Sequence, residues 1–330
     1  MALSLVGGAS FDQLFSEIAD LPGLRSGLVA AVLFGLAWTL PLGDLRRSIR
    51  RPATWLLAVS INVLWVPALA MLAYLLVPSE AWPIDGGEGL LVASLVPSTL
   101  ASASIWVRRG GGDDSVTMMT TVATNLACPL VVFAGLFAFD RLRWIEASDQ
   151  AGTPILQLWR LLLIVVLPMF AGQWLRGAGS QTVAERWKPR IKWGSQAAIL
   201  LMVAFGAARA SNLAESMAAS NALAGAGFLG ATPVQWCVCL SSAVAVHLTA
   251  LVGGIGVARI LGWPRHQQIA VGVGGSQKTL MVGLQITLDC GVSVLPIVIY
   301  HTAQLLIDTA VVDVGWSDDR DVGIPKASGS

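Results

Sequence analysis

Apolar residues run along this chain in blocks of about twenty, separated by short stretches where the charges collect. A run of that length matches the hydrocarbon thickness of a bilayer. Nine such blocks are readable, at 25–42, 53–77, 89–107, 115–138, 154–176, 190–211, 232–259, 266–288 and 292–314. They are called spans 1 to 9 here. The pattern predicts an all-α integral membrane protein of about nine transmembrane helices. Residues 1–24 read as a short amphipathic lead-in. Met1 to Ser10 has no basic stretch, and Asp12, Glu17 and Asp20 follow it, so a signal peptide is not expected. Residues 315–330 read as a short polar tail.

The charges between the blocks carry the orientation. Arg46, Arg47, Arg50 and Arg51 follow span 1, and Arg108 and Arg109 follow span 3. Arg176, Arg186, Lys188, Arg190 and Lys192 follow span 5, and Arg259 and Arg265 follow span 7. The alternate side has only Arg25, Arg141, Arg143, Arg160 and Arg209. Short loops rich in Lys and Arg stay cytoplasmic. The expectation is therefore an outside N-terminus, a cytoplasmic C-terminus and, by default, the plasma (inner) membrane. Most of the 13 Trp lie near predicted span ends, as in an interfacial belt.

Composition agrees. The 330 residues are 55% hydrophobic and only 12% charged, where a soluble domain has roughly 25%. The net charge of +1 argues against a nucleic-acid partner. Cys128, Cys237, Cys239 and Cys290 have no CxxC spacing, so neither a metal nor a redox centre is expected. The lipid bilayer is the one partner that composition requires.

Polar groups at membrane depth are costly and mark function. Span 3 carries Pro97, Ser98, Thr99, Ser102 and Ser104 in mid-block. Span 8 carries Gly272, Gly274 and Gly275, then Ser276, Gln277, Lys278 and Thr279. Glycine weakens a helix, and Lys278 is too central to snorkel. A helix broken in this stretch, lining a watery cavity, is expected. The alternative is a tight small-residue interface with Lys278 paired to an acid such as Asp308. Span 4 adds Thr120, Thr121, Thr124 and Asn125; span 9 adds His301, Gln304 and Asp308 on one face. Asn62 in span 2 and His247 in span 7 are isolated polar residues. Spans 2-3-4 and 7-8-9 thus repeat one pattern, and an offset of five crossings inverts the second copy. Interrupted helices at matching places in inverted halves point to a midplane site in secondary transporters.

At these residues the sequence resembles the bile acid:sodium symporter family. The similar stretches are Pro97 to Ser102, Arg109-Gly110, Thr120-Thr121-Val122 through Pro129, and Asn62 five residues before Pro67. Leu167-Pro168, Gly172-Gln173, Leu175-Arg176, Gly275 to Leu280, and His301 with Gln304 are similar to one branch. That is the bile-acid-transporter-like branch whose broken helix reads Gly-Ser-Lys-Lys-Ser-Leu. The resemblance covers about 27–312. It implies two crossed discontinuous helices, a core (53–138 and 232–314) and a panel (25–42 and 154–211) within one transmembrane unit, 25–314. By the same resemblance Ser102 with Thr120 or Thr121 would hold one sodium ion, and Asn62 with Gln277 a second. Sodium-coupled members carry a Glu that both sites share; its place here is near Val273, and no acid lies between Ala270 and Leu288.

The resulting expectation is a secondary active transporter of a small organic anion, such as a bile-acid-like steroid conjugate or a carboxylate. It works by alternating access without two-sodium coupling, or with protons through Lys278, His301 or Asp308. No organic cofactor is expected. The candidate site is Asn62, Ser98, Thr99, Ser102, Thr120, Thr121, Thr124, Asn125, Ser276, Gln277, Lys278, Thr279, His301, Gln304 and Asp308. Two rivals were weighed. Arsenite-type efflux carriers place a Cys in the first broken helix, and 97–106 has none. An intramembrane serine hydrolase would use Ser276 with His301, without a second motif to support it.

Overall fold

The computed structural model describes residues 21, 23–50, 52–99, 102–145, 154–219 and 232–315. The expected lead-in and tail lie almost wholly outside them. Among the described residues there are helices and no strand. They are α1 (Leu24–Thr39), α2 (Leu42–Ile49) and α3 (Pro52–Leu76). Next come α4 (Gly86–Leu95), α5 (Ala103–Arg109) and α6 (Asp114–Arg141). Then α7 runs from Pro154–Leu161 through a π turn into Leu167–Gly177, and α8 is Gln181–Ala219. The last four are α9 (Pro233–Ile260), α10 (Arg265–Ser276), α11 (Leu280–Cys290) and α12 (Leu295–Gly315).

All nine predicted spans correspond to these elements, and spans 3 and 8 are the two that break. Five helices are long and apolar enough to cross a membrane unaided: α3, α6, α7, α9 and α12. Leu64, Leu130, Leu163, Val252 and Leu306 stand exposed on them. Exposed aliphatics at that density suit lipid as the solvent, not water. The chain is a multi-pass membrane protein.

Three points refine or correct the expectations. First, the break expected in span 8 is present and falls at 277–279, since α10 continues through the three glycines and ends at Ser276. Gly272 and Gly275 serve close packing. A Cβ on Gly272 would lie 2.9 Å from Leu251 O, and one on Gly275 would lie 3.1 Å from Ala58 O. Small residues let helix backbones approach this way inside membranes. Second, the basic stretch before span 6 is not a loop. α8 begins at Gln181, so Arg186, Lys188, Arg190 and Lys192 ride on a helix. Third, Trp82 is 5% exposed and so lies in the interior, whereas Trp159, Trp174 and Trp193 do face outward.

Two π turns share one cause. They run over Ile61–Trp65 in α3 and Leu162–Val166 in α7, and Pro67 and Pro168 follow each at the same offset. Proline has no N–H and its ring crowds the carbonyl four residues back. A widened turn relieves both.

Contacts at the helix ends show the inversion. Gln235, at the start of α9, donates to Trp82 O just beyond α3 (2.9 Å). Gly89 in α4 packs on Ser293 O just before α12. At the opposite end Arg109 of α5 pairs with Asp313 of α12 (2.6 Å), and Asp113 N donates to His266 O (2.9 Å). The unit α9–α12 therefore runs against the unit α3–α6. α10 packs among α3, α5, α6 and α9, and every residue of α11 is buried. α1 packs against α7 and α8, and this trio meets the other helices chiefly along α6 and α11.

Candidate functional site

A helix broken inside a membrane leaves backbone groups that water cannot reach, and each must be satisfied by protein. The two breaks, described at 96–99 and 102 and at 277–279, cross, and each supplies what the other lacks. Thr279 N donates to Pro97 O (2.9 Å). The Ser98 hydroxyl donates to Gly274 O (2.9 Å). The Lys278 ammonium donates to Val96 O (2.8 Å).

Neighbouring helices satisfy the rest. From α3, Asn62 Nδ2 donates to Gly275 O (3.2 Å) and Gln277 O (2.9 Å). From α6, Asn125 Nδ2 donates to Ser98 O (3.1 Å), the Thr121 hydroxyl to Thr99 O (3.1 Å), and Thr124 Oγ1 accepts from Ser98 N (3.1 Å). From α12, the Tyr300 hydroxyl donates to Ser276 O (2.9 Å). Gln304 grips both sides of one residue: its Oε1 accepts from Lys278 N (2.8 Å) and its Nε2 donates to Lys278 O (2.9 Å). His301 Nδ1 lies 3.2 Å from the same carbonyl. Every carbonyl from Val96 to Thr99 and from Gly274 to Lys278 thus has a partner.

The charged groups sit at the centre. Lys278 and Gln277 are fully buried, and Asp308 is 1% exposed. Lys278 Nζ faces three oxygens: Asn62 O at 2.7 Å, Val96 O at 2.8 Å and Asn62 Oδ1 at 3.2 Å. Three acceptors match the three hydrogens of an ammonium. None is a carboxylate. The Lys278–Asp308 pair that one sequence reading allowed is not formed. Asp308 Oδ1 instead meets His247 Nε2 (3.1 Å), and Asp308 Oδ2 accepts from Gln277 Nε2. His247 Nδ1 faces Ser276 O (3.4 Å).

Fourteen of the fifteen expected residues meet in this network. Thr120 does not join it, because its hydroxyl turns back to Val116 O of its own helix (2.9 Å). The oxygens of the two expected sodium sets are engaged. The Ser102 hydroxyl donates to Gln277 Oε1 (3.0 Å), Thr121 Oγ1 also donates to Thr117 O (2.9 Å), and Asn62 Oδ1 faces the ammonium. Ser102, Thr279 and His301 keep partial exposure.

Sequence reasoning left out two participants. His247 was visible as an isolated mid-span polar residue, but nothing along the chain tied it to Asp308. Tyr300 looked like ordinary span filler, and only the fold brings its hydroxyl to the break. A second buried cluster also escaped notice because span 8 was ended at Leu288 while α11 continues to Cys290. Asp289, 5% exposed, pairs with Arg160 of α7 (3.0 Å) and accepts from Gln285 Nε2 (2.9 and 3.0 Å). Gln157 of α7 adds a longer contact (3.4 Å).

Two inverted units whose broken helices cross at a buried polar centre give the architecture of a membrane transporter. The chain belongs to the SBF-like CPA transporter family, whose model matches residues 17–314. The bile acid:sodium symporter resemblance drawn from the motifs is borne out at that level. None of the curated proteins compared matches the chain.

Proposed function

We propose that this transporter moves a small organic anion by alternating access. The observation that carries the reading is Lys278: a fully buried ammonium that faces three neutral oxygens. A charge at the bilayer centre costs several kcal/mol or more, and an arriving anion offsets that cost. The first turn of α11, which starts just after Lys278, adds positive potential at the same point. Ser102, Thr279 and His301 supply hydrogen-bonding groups for a carboxylate or a sulfonated conjugate. The Gly275-Ser276-Gln277-Lys278 stretch supports a place near the branch with Gly-Ser-Lys-Lys-Ser-Leu.

In this reading α3–α6 and α9–α12 form the core, and α1, α7 and α8 form the panel against which it moves. The Arg-rich end is cytoplasmic, with the N-terminus outside, in the plasma membrane. Transport is favoured over hydrolysis because the Ser276 hydroxyl turns to Val273 O (3.4 Å) while His301 faces Lys278 O, so the pair a hydrolase needs is not formed.

The test is uptake into proteoliposomes, with thermal shift as a companion. A taurine-conjugated steroid and a short carboxylate are compared with neutral and cationic analogues of matched size. Anions are expected to be taken up and to stabilise the protein, and Lys278→Gln to remove both effects. Preference for a cation or a neutral analogue would overturn the proposal.

A further inference from the structure

The oxygens around Lys278 form a small cation cage, and its origin is local. In α3, the π turn sends Val66 N to Ile61 O. The next donor in that ladder would be residue 67, which is proline and has no N–H. Asn62 O is therefore left over at the centre of the bundle. Val96 O is left over for a related reason: α4 ends at Leu95 and Pro97 follows. The Asn62 side chain, held through its Nδ2 by Gly275 O and Gln277 O, presents its Oδ1 to the same spot. A bare site of this kind, two main-chain carbonyls and one amide oxygen with no hydrogen donor of its own, attracts a small monovalent cation.

We infer that the Lys278 ammonium is the resident cation of this cage and stands where a diffusible sodium or similar ion would otherwise bind. The residues do not fit a free sodium ion as well. Asn62 Oδ1 is turned to the ammonium, Gln277 Oε1 accepts from Ser102, and Gln277 O accepts from Asn62. The tethered charge also joins three elements: it reaches from the second break to α3 and to the end of α4, the work a bound ion does at a crossing. Nor is it drawn off by a carboxylate, since Asp308 is held by His247 and Gln277. The protein is thus built cation-loaded, and its stability and ligand binding do not require sodium at this position. The inference rests on the crossing being the transport site, but its test needs no transported anion. Failure of the anion reading and failure of this one are therefore separable.

The experiment is thermal unfolding of purified full-length protein in detergent, in choline, sodium and ethylammonium chlorides at equal ionic strength. The wild type is expected to melt at one temperature in all three salts. Lys278→Ala is expected to melt roughly 5 °C or more lower in choline and to recover most of that loss in ethylammonium, with partial recovery in sodium. Lys278→Met, which fills the cage with an apolar chain, is expected to melt lower and not to recover. A wild-type melting temperature that rises in sodium over choline overturns the inference, and this arm needs no variant to fold. Equal melting of Lys278→Ala in all three salts overturns it as well.

Discussion

Both ends of α11 carry a buried charge, and the two are accommodated in different ways. Lys278 lies just before its first turn and Asp289 in its last. Each opposes the dipole of that helix, which favours anions at the start and cations at the end. At Asp289 a counter-ion from another helix, Arg160, cancels the conflict, with 39% of its side chain still exposed. At Lys278 the conflict is met by the negative end of α4, through Val96 O, and by the π turn of α3. One site is neutralised across the contact between α7 and α11. The other has no carboxylate against the Lys278 side chain. The difference separates a buried charge met by a counter-ion from one met by neutral oxygens.

The largest effect is expected from removing the donors at the uncompensated end. Lys278→Met leaves Asn62 O and Val96 O buried without hydrogens, a loss of about 3 kcal/mol or more, read by denaturant unfolding in detergent. Asp289→Asn keeps a partner for Gln285 but strands part of the Arg160 charge. Because Arg160 reaches solvent, the loss should be about 1–2 kcal/mol, and an added Arg160→Met should recover part of it. Equal losses at Lys278 and Asp289 would erase the contrast. Tyr300→Phe removes one of two groups facing Ser276 O and should cost about 1 kcal/mol, with His247 left in contact.

The smallest effect belongs to a pair that joins the end of α7 to the first turns of α8. Arg176 beside Glu185 holds that carboxyl below the ordinary glutamate range. A lowered folded value means the contribution is present above the ordinary glutamate value and fades as pH falls through the folded one. Glu185 is half exposed, so Glu185→Gln should change stability by less than about 1 kcal/mol. Melting of wild type and variant should converge as the pH is lowered, and a gap that widens there would reverse the sign.

Much of the fold was legible because the bilayer imposes one rule on every span. Nine apolar blocks became the observed helices, and the two blocks with polar centres became the broken ones. The site was legible as a set of polar residues whose presence at depth needed a reason. Residue type alone did not fix the point of the break within that stretch. Gly272 and Gly275 lie inside α10, where it presses against α9 and α3. The helix stops one residue later, at Ser276, because the carbonyls there find donors in Asn62, Tyr300 and Gln304. Asp289 was missed for a simpler reason, that a hydropathy boundary is not a helix end.

The sequence by itself determined that the chain crosses a membrane many times, that two spans are interrupted in inverted halves, and that Lys278 is a charge in an expensive place. Those are properties of composition and spacing, which the bilayer reads directly. Only the tertiary structure decided what Lys278 faces. Asn62 and Asp308 lie far from it along the chain in opposite directions, and either could have been its partner. The π turn forced by Pro67 and the end of α4 at Leu95 brought neutral carbonyls to the ammonium, while His247 took the carboxylate. Hydrogen bonding in a closed interior is a matter of three-dimensional reach, and no pattern along one dimension contains it.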